Sequence, residues 1–201
     1  MKKMKKFELT SETKINIFGK KLFRIKALIS FADVEAGETG GWVEKEGNVN
    51  QSGDAWVSGN AEVYGNAEVY GNAKVYGNAK VYGNAEVSGN AEVSGDAWVY
   101  GNAEVSGNAE VSGDAKVYGN ADVYGDAEVY GNADYTTIHG FGTQFRTTTF
   151  FRCKDKKVRV ACGCFFGTIP EFREQVKNTR KGKIAEEYLM IADLMEKHFE
   201  K

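Results

Sequence analysis

The chain has 201 residues, with 24 glycines, one proline, two histidines and a net charge of −2. Its hydrophobic content of 42% and mean hydropathy of −0.45 favour a water-soluble protein. No apolar run approaches the ~20 residues of a membrane-spanning helix. The basic start lacks the apolar core of a secretory signal, and an odd count of three cysteines favours a reducing compartment. We therefore expect a cytoplasmic protein that does not bind membranes.

The N-terminal segment, residues 1–46, predicts a small β unit. Lys14–Ile17 and Leu22–Leu28 are typical of two short strands joined by a turn at residues 18–21. The run Gly40-Gly41-Trp42-Val43-Glu44 then leads into a repeat that begins at Gly47.

A six-residue repeat occupies residues 47–136. Thirteen unbroken copies of Gly-[Asn/Asp]-Ala-x-Val-[Tyr/Ser] run from Gly53 to Tyr130, with looser copies at 47–52 and 131–136. Fifteen of the 24 glycines therefore fall on this frame. Ala and Val lie two residues apart, so they point to one side of an extended segment, and glycine permits the corner that follows. The repeat predicts a coil of short parallel strands.

This repeat resembles the hexapeptide repeat of left-handed parallel β-helices, in which three hexads form one triangular turn. The pieces GGWVE and SGDAWV, together with the rest of residues 7–136, resemble an uncharacterised bacterial and phage group often labelled as transferases. The resemblance implies a mainly β fold, with a single-stranded left-handed parallel β-helix of about five turns over the repeat. We expect an N-terminal β cap before it and a small C-terminal ββαα module after it. The cap must cover strand edges that a β-helix leaves unpaired.

Three hexads per turn predict columns of residues 18 apart. One outward column is entirely acidic: Glu68, Glu86, Glu104 and Asp122. One corner column is entirely aromatic: Tyr64, Tyr82, Tyr100 and Tyr118. The acidic column is either a solubilising face or a binding face, and the tyrosines either support only one another or form a contact strip for a partner or for the subunits of an oligomer. An adjacent column at Asn66, Asn84, Asn102 and Asn120 predicts a ladder of side-chain amides.

The C-terminal segment, residues 137–201, has no repeat. Thr147–Cys153 and Val158–Phe165 predict a hairpin, and Thr168 with Glu171 forms a capping box before a helix over Ile169–Arg180. A second helix is predicted over Lys183–His198. The hairpin carries basic residues with interleaved aromatics, which we take as the candidate partner-binding surface: Arg146, Phe150, Phe151, Arg152, Lys154, Lys156, Lys157 and Arg159. A solvated hairpin without a partner is the alternative.

Catalytic and metal chemistry have few candidates. His139 is the histidine nearest the repeat and the one available general base there, and it could instead be an ordinary cap residue. Cys153, Cys162 and Cys164 could join His139 around zinc, but Cys162 and Cys164 alternate onto a strand face that also suits a core. We expect no metal and no cofactor.

Charge is segmented along the chain. The net charge is +3 over residues 1–46, −10 over 47–134 and +5 over 135–201. An acidic rod disfavours nucleic acid and suits a protein partner, a small anionic ligand at the basic module, or the protein itself.

We expect a non-enzymatic interaction or assembly protein in which the rod displays the C-terminal module. The family resemblance implies a trimer. It also implies a phage accessory factor in the host bacterial cytoplasm, with an anti-defence role that blocks or sequesters a host component. The alternative is a hexapeptide-repeat acyltransferase that uses acyl-CoA.

Overall fold

The computed structural model describes residues 4–200 and begins with an antiparallel cap of three strands. These are β1 (Phe7–Ile15), β2 (Lys21–Ala27) and β3 (Thr39–Val43). The sequence predicted the first strand over Lys14–Ile17, which overlaps β1 only at Lys14 and Ile15, and it omitted β3. Strand β1 begins as early as Phe7 because this residue is fully buried against the rod, and β3 forms because Trp42 and Val43 pair in parallel with Glu62 and Val63.

After a short 3-10 helix (Glu46–Asn48), the thirteen regular hexads each form a two-residue strand. Strands β4 to β16 are Trp56–Val57, Glu62–Val63, Glu68–Val69, Lys74–Val75, Lys80–Val81, Glu86–Val87, Glu92–Val93, Trp98–Val99, Glu104–Val105, Glu110–Val111, Lys116–Val117, Asp122–Val123 and Glu128–Val129. They stack into three parallel sheets, ordered β3-β5-β8-β11-β14, β4-β7-β10-β13-β16 and β6-β9-β12-β15. The predicted β-helix of about five turns, which we call the rod, is confirmed.

The residue types at each position of the hexad explain why the rod forms. Every Ala and Val of the regular copies is fully buried in one continuous core, and the residue between them faces outward. The thirteen corner glycines have φ between +62° and +77°, a region that disfavours other residues. A Cβ added at Gly83 would also lie 3.0 Å from the backbone N and O of Gly101, one turn along. At corners such as this one, the next turn leaves too little room for a side chain.

The two looser copies depart from the frame. Val49 pairs with Val69, twenty residues on instead of eighteen, so the first copy is shifted by two residues. In the last copy, Ala133 is exposed and Tyr135 pairs with Phe151 in a different sheet. The first copy therefore stays in the coil out of register, with Val49 in the rod core. The prediction that all fifteen copies follow one frame is wrong at both ends, and only the last copy leaves the parallel sheets.

The two ends of the rod leave different backbone groups without a partner in the rod. Side chains donate hydrogen bonds at the first turn and accept them at the last. Each turn donates its N–H groups to carbonyls of the next turn, as Trp56 N does to Ala73 O at 3.0 Å. The first turn therefore presents carbonyls: Lys6 Nζ donates to Ala55 O at 2.7 Å, and Asn48 Nδ2 to Ala67 O at 2.9 Å. The last turn presents N–H groups, which Asn132 and Thr149 accept from Lys116 and Asp122.

The C-terminal module is a four-stranded antiparallel sheet with two helices, larger than the predicted ββαα unit. Its elements are β17 (Tyr135–Phe141), β18 (Arg146–Arg152), β19 (Val158–Cys162), β20 (Phe165–Thr168), α1 (Ile169–Thr179) and α2 (Gly182–Phe199). The single strand predicted over Val158–Phe165 is divided by a turn at Gly163, where φ is +59°. The predicted capping box is confirmed, with Glu171 N donating to Thr168 Oγ1.

Candidate functional site

The tip of the predicted basic hairpin turns back onto the acidic rod. Lys154 Nζ lies 2.6 Å from a Glu110 carboxylate oxygen, and Lys156 Nζ lies 2.9 Å from Glu128. These pairs lower the pKa of Glu128 and raise the pKa values of both lysines, in each lysine mainly through the side-chain hydrogen bond. These two lysines therefore neutralise two carboxylates on adjacent strands of the rod and join the module to it.

Three other members of the predicted partner surface also contribute to the module's own structure. Phe150 and Phe151 are fully buried, in the module core and the rod core respectively, so they belong to the interior and not to a binding surface. Arg152 donates to the carbonyl of Phe199 at 2.7 Å and lies 3.4 Å from Asp134. The interleaved aromatics were misread because both faces of β18 are covered, one by the rod and one by the helices.

The remaining basic residues separate into two places. Arg159 pairs with Asp155 at 2.6 Å near the tip, and Lys157 lies exposed beside it. Arg146 lies at the opposite end of β18, where it lines a cleft between the sheet and the helices. The structure therefore does not bring the predicted basic cluster together as one surface.

The cleft at Arg146 has a volume of about 420 Å³. Its floor is apolar, with Phe172 and Val176 of α1 and Tyr188 of α2 all buried. The turn from β19 to β20 also contributes to the lining. The lining residues are Arg146, Cys162, Cys164, Phe165, Phe166, Phe172, Gln175, Val176, Thr179, Arg180 and Tyr188. A narrower extension of about 110 Å³ continues past Thr143 and Gln144 and shares Arg146, Arg180 and Tyr188.

Two guanidinium groups define the electrostatics of this cleft. Arg146 and Arg180 are both exposed, and within residues 4–200 neither forms an ion pair with a carboxylate. Burial raises the pKa of the Tyr188 phenol, and the nearby positive charges of Arg180 and Arg146 oppose that rise. The cleft thus combines two uncompensated positive charges with an apolar, aromatic interior.

Sequence reasoning found Arg146 but missed Arg180 and Tyr188. Arg180 is the C-terminal cap of α1, and Tyr188 lies on α2 in the module core. The packing of α1 and α2 on the sheet brings the three side chains to one cleft. A basic residue at the predicted helix end was the available signal, but its partner lies 34 positions away in the chain.

The tyrosine column forms the predicted stack. Ring centroids of Tyr64, Tyr82 and Tyr100 are 5.0 Å apart with interplanar angles of 2°, and Tyr118 follows at 5.3 Å. Phe18 at the tip of the N-terminal hairpin packs against Tyr82 at 5.7 Å, and Tyr135 packs edge-on against Tyr118. Both caps therefore contact the stack. Its role as a strip for an oligomer or partner stays a prediction.

The acidic column is aligned as predicted: Glu68, Glu86, Glu104 and Asp122 are successive partners along one sheet. Burial raises the pKa of Glu104, and the neighbouring Asp122 and Glu86 raise it further. Tyr70 donates a hydrogen bond to Glu86 at 2.7 Å.

The candidate zinc ligands lie in different surroundings. Cys153 is buried in the rod core, where burial raises its pKa to about 11, whereas Cys164 lies on an exposed turn. Cys162 accepts a hydrogen bond from Thr148 Oγ1 at 3.1 Å. His139 is exposed on β17, with Nδ1 3.3 Å from Thr147 Oγ1, and is not among the residues that line the cleft. Between residues 4 and 200, no three His, Cys, Asp or Glu side chains are grouped to hold a metal ion.

The fold defines a capped parallel β-solenoid that ends in an antiparallel sheet with two helices. No known protein family matches the chain, and no curated protein sequence is significantly similar to it. Neither of the two described helices is long and apolar enough to cross a membrane.

Proposed function

We propose that this protein is a non-enzymatic interaction protein, in which the rod carries the C-terminal module and the module binds an anionic partner. The observation that carries this proposal is that Arg146 and Arg180, both exposed, line one cleft. Lys154 and Lys156 already have carboxylate partners on the rod, whereas these two arginines have none among the described residues. Two guanidinium groups without carboxylate partners beside an apolar floor favour recognition of an oxyanion.

The rod supports this role as a scaffold. Its alanines and valines fill its own core, and its asparagines bond along the coil from turn to turn, as Asn84 Nδ2 does to Asn102 Oδ1 at 2.9 Å. The N-terminal cap and the module bond to opposite ends. The module is therefore held on the end of a regular scaffold.

Affinity capture with the full-length protein tests the proposal. We expect the wild-type protein to retain at least one protein from a lysate of its native cell, and Arg146→Glu/Arg180→Glu to lose it. The control Lys21→Glu/Lys26→Glu changes the charge equally at two exposed lysines of the N-terminal cap, and it should retain the same protein. Identical captured proteins on all three baits would contradict the proposal.

A further inference from the structure

The cleft has the composition of a small-molecule site as well as of a contact surface. Its volume of about 420 Å³ is within the range of roughly 300–1,000 Å³ that is usual for such sites. An apolar floor with a few converging polar groups is the usual design. Here the polar groups are the two arginines at one side, with Gln175 and Thr179 one helical turn apart on α1.

The aromatic side chains that line the cleft pack against one another at tilted or perpendicular angles. Phe165 and Phe172 have ring centroids 5.4 Å apart at 52°, and Phe172 and Tyr188 are 5.8 Å apart at 90°. A flat ring placed in the cleft would meet aromatic faces and edges, the arrangement that aromatic pairs prefer. An aliphatic chain would gain no such geometric preference.

We infer that the cleft binds a small molecule that joins an aromatic ring to an oxyanion, either a phosphate or a carboxylate. The ring occupies the space over Phe172 and Val176, and the oxyanion lies between the guanidinium groups of Arg146 and Arg180. Arginine forms paired hydrogen bonds to both kinds of oxyanion, which explains why the cleft uses two arginines and no lysine. This inference rests on the proposed function and names the class of ligand.

Calorimetric titration of the full chain with four probes tests the inference: phenyl phosphate, benzoate, inorganic phosphate and phenol. We expect phenyl phosphate or benzoate to bind at least about tenfold more tightly than both inorganic phosphate and phenol. The preference between phenyl phosphate and benzoate then identifies the oxyanion. In Arg146→Gln/Arg180→Gln this affinity should fall about tenfold or more, whereas Lys21→Gln/Lys26→Gln should leave it unchanged.

Two results would overturn the inference: aromatic oxyanions that bind no better than phosphate or phenol, and an affinity that survives the loss of both arginines. Denaturation midpoints of the two double variants check that each remains folded. If the inference fails while the arginine-dependent capture of a protein persists, the cleft binds a macromolecule and the proposed function stands. If both fail, the cleft is not a binding site.

Discussion

Lys6 is a buried lysine that binds the carbonyl groups at the N-terminal end of the rod. Its ammonium group donates to the carbonyls of Gly53 and Ala55 and lies 4.9 Å from the ring centroid of Phe31. The side chain is only 2% exposed, and burial lowers its pKa from 10.5 to about 8, with Asp54 opposing the shift. A cation is therefore held where the rod's first turn presents carbonyl oxygens.

This burial predicts an unusual pH dependence of stability. Between pH 8 and 10.5 the unfolded chain binds more protons at Lys6 than the folded chain does, so this residue makes the free energy of unfolding rise with pH. Relative to Lys6→Met, the wild-type protein should gain about 2 kcal/mol over this interval in urea unfolding. Lys5→Met removes an exposed partner of Glu46 but keeps Lys6, so its pH profile should run parallel to that of the wild-type protein. Parallel pH profiles for wild type and Lys6→Met would contradict the prediction.

Gly40 permits the closest approach of the cap to the rod. A Cβ at this position would lie 2.6 Å from both Ile25 Cγ1 and Trp56 Cζ2 and 2.7 Å from Val57 O. Gly40→Ala should therefore lower the free energy of unfolding by about 1–3 kcal/mol through overpacking. Gly47→Ala is the matched control, since a Cβ there meets nothing within 4 Å, and it should change stability little. An equal effect of the two substitutions in urea unfolding would show that the predicted crowding is absent.

The asparagine ladders are elements that the hexad creates along each corner of the rod. Asn66, Asn84, Asn102 and Asn120 each bond to the next at 2.9–3.2 Å. On another corner the ladder passes from Asn78 to Asp96, which accepts at 3.0 Å. An aspartate is thus suited to the receiving end of a ladder, because it accepts but cannot donate.

Exchange of the two residue types tests this directionality. Asn84→Asp keeps the bond from Asn66 but loses the donor to Asn102, and should cost about 1 kcal/mol of unfolding free energy. Asp96→Asn keeps its acceptor for Asn78 and should stay within about 0.5 kcal/mol of wild type. Chemical denaturation of both variants measures this. A larger loss in Asp96→Asn than in Asn84→Asp would contradict the ladder account.

The regular elements could be predicted from the sequence, and the elements that depend on distant contacts could not. Thirteen copies with Val in register predict thirteen strands, because each hexad carries its own strand and corner residues. Strand β3 escaped prediction since it pairs with β2 across the eleven residues between Ala27 and Thr39, and with Glu62 and Val63 of the rod. The sequence did not predict the cleft: it named Arg146 only as part of the basic hairpin, and Arg180 and Tyr188 reach Arg146 through the packing of two helices.

In the whole molecule, the acidic rod and the basic C-terminal segment carry opposite net charges and attract each other. The rod carries −10 and the C-terminal segment +5, and Lys154 and Lys156 bridge the two. The five-residue loop between β18 and β19 therefore joins the module to the rod by charge as well as by the hydrogen bond from Lys154 N to Asp126 O. The arginines of the cleft lie at the other end of β18, away from this contact.

A charge swap measures the contribution of this attraction. Lys154→Glu and Glu110→Lys should each lower the free energy of unfolding by about 0.5–1 kcal/mol, because the pair is partly exposed and lies at 2.6 Å. The double variant should recover most of the loss, and added salt should shrink all three differences. Additive losses in the double variant, measured by urea unfolding, would show that the two charges do not interact.

Site-specific photo-crosslinking tests most directly that the module, and not the rod, contacts the partner. A photoreactive phenylalanine at Gln175, on the rim of the cleft, should form an adduct with the captured protein. The same group at Tyr76, an exposed position on the rod, should form none. Adducts at Tyr76 without adducts at Gln175 would contradict the account.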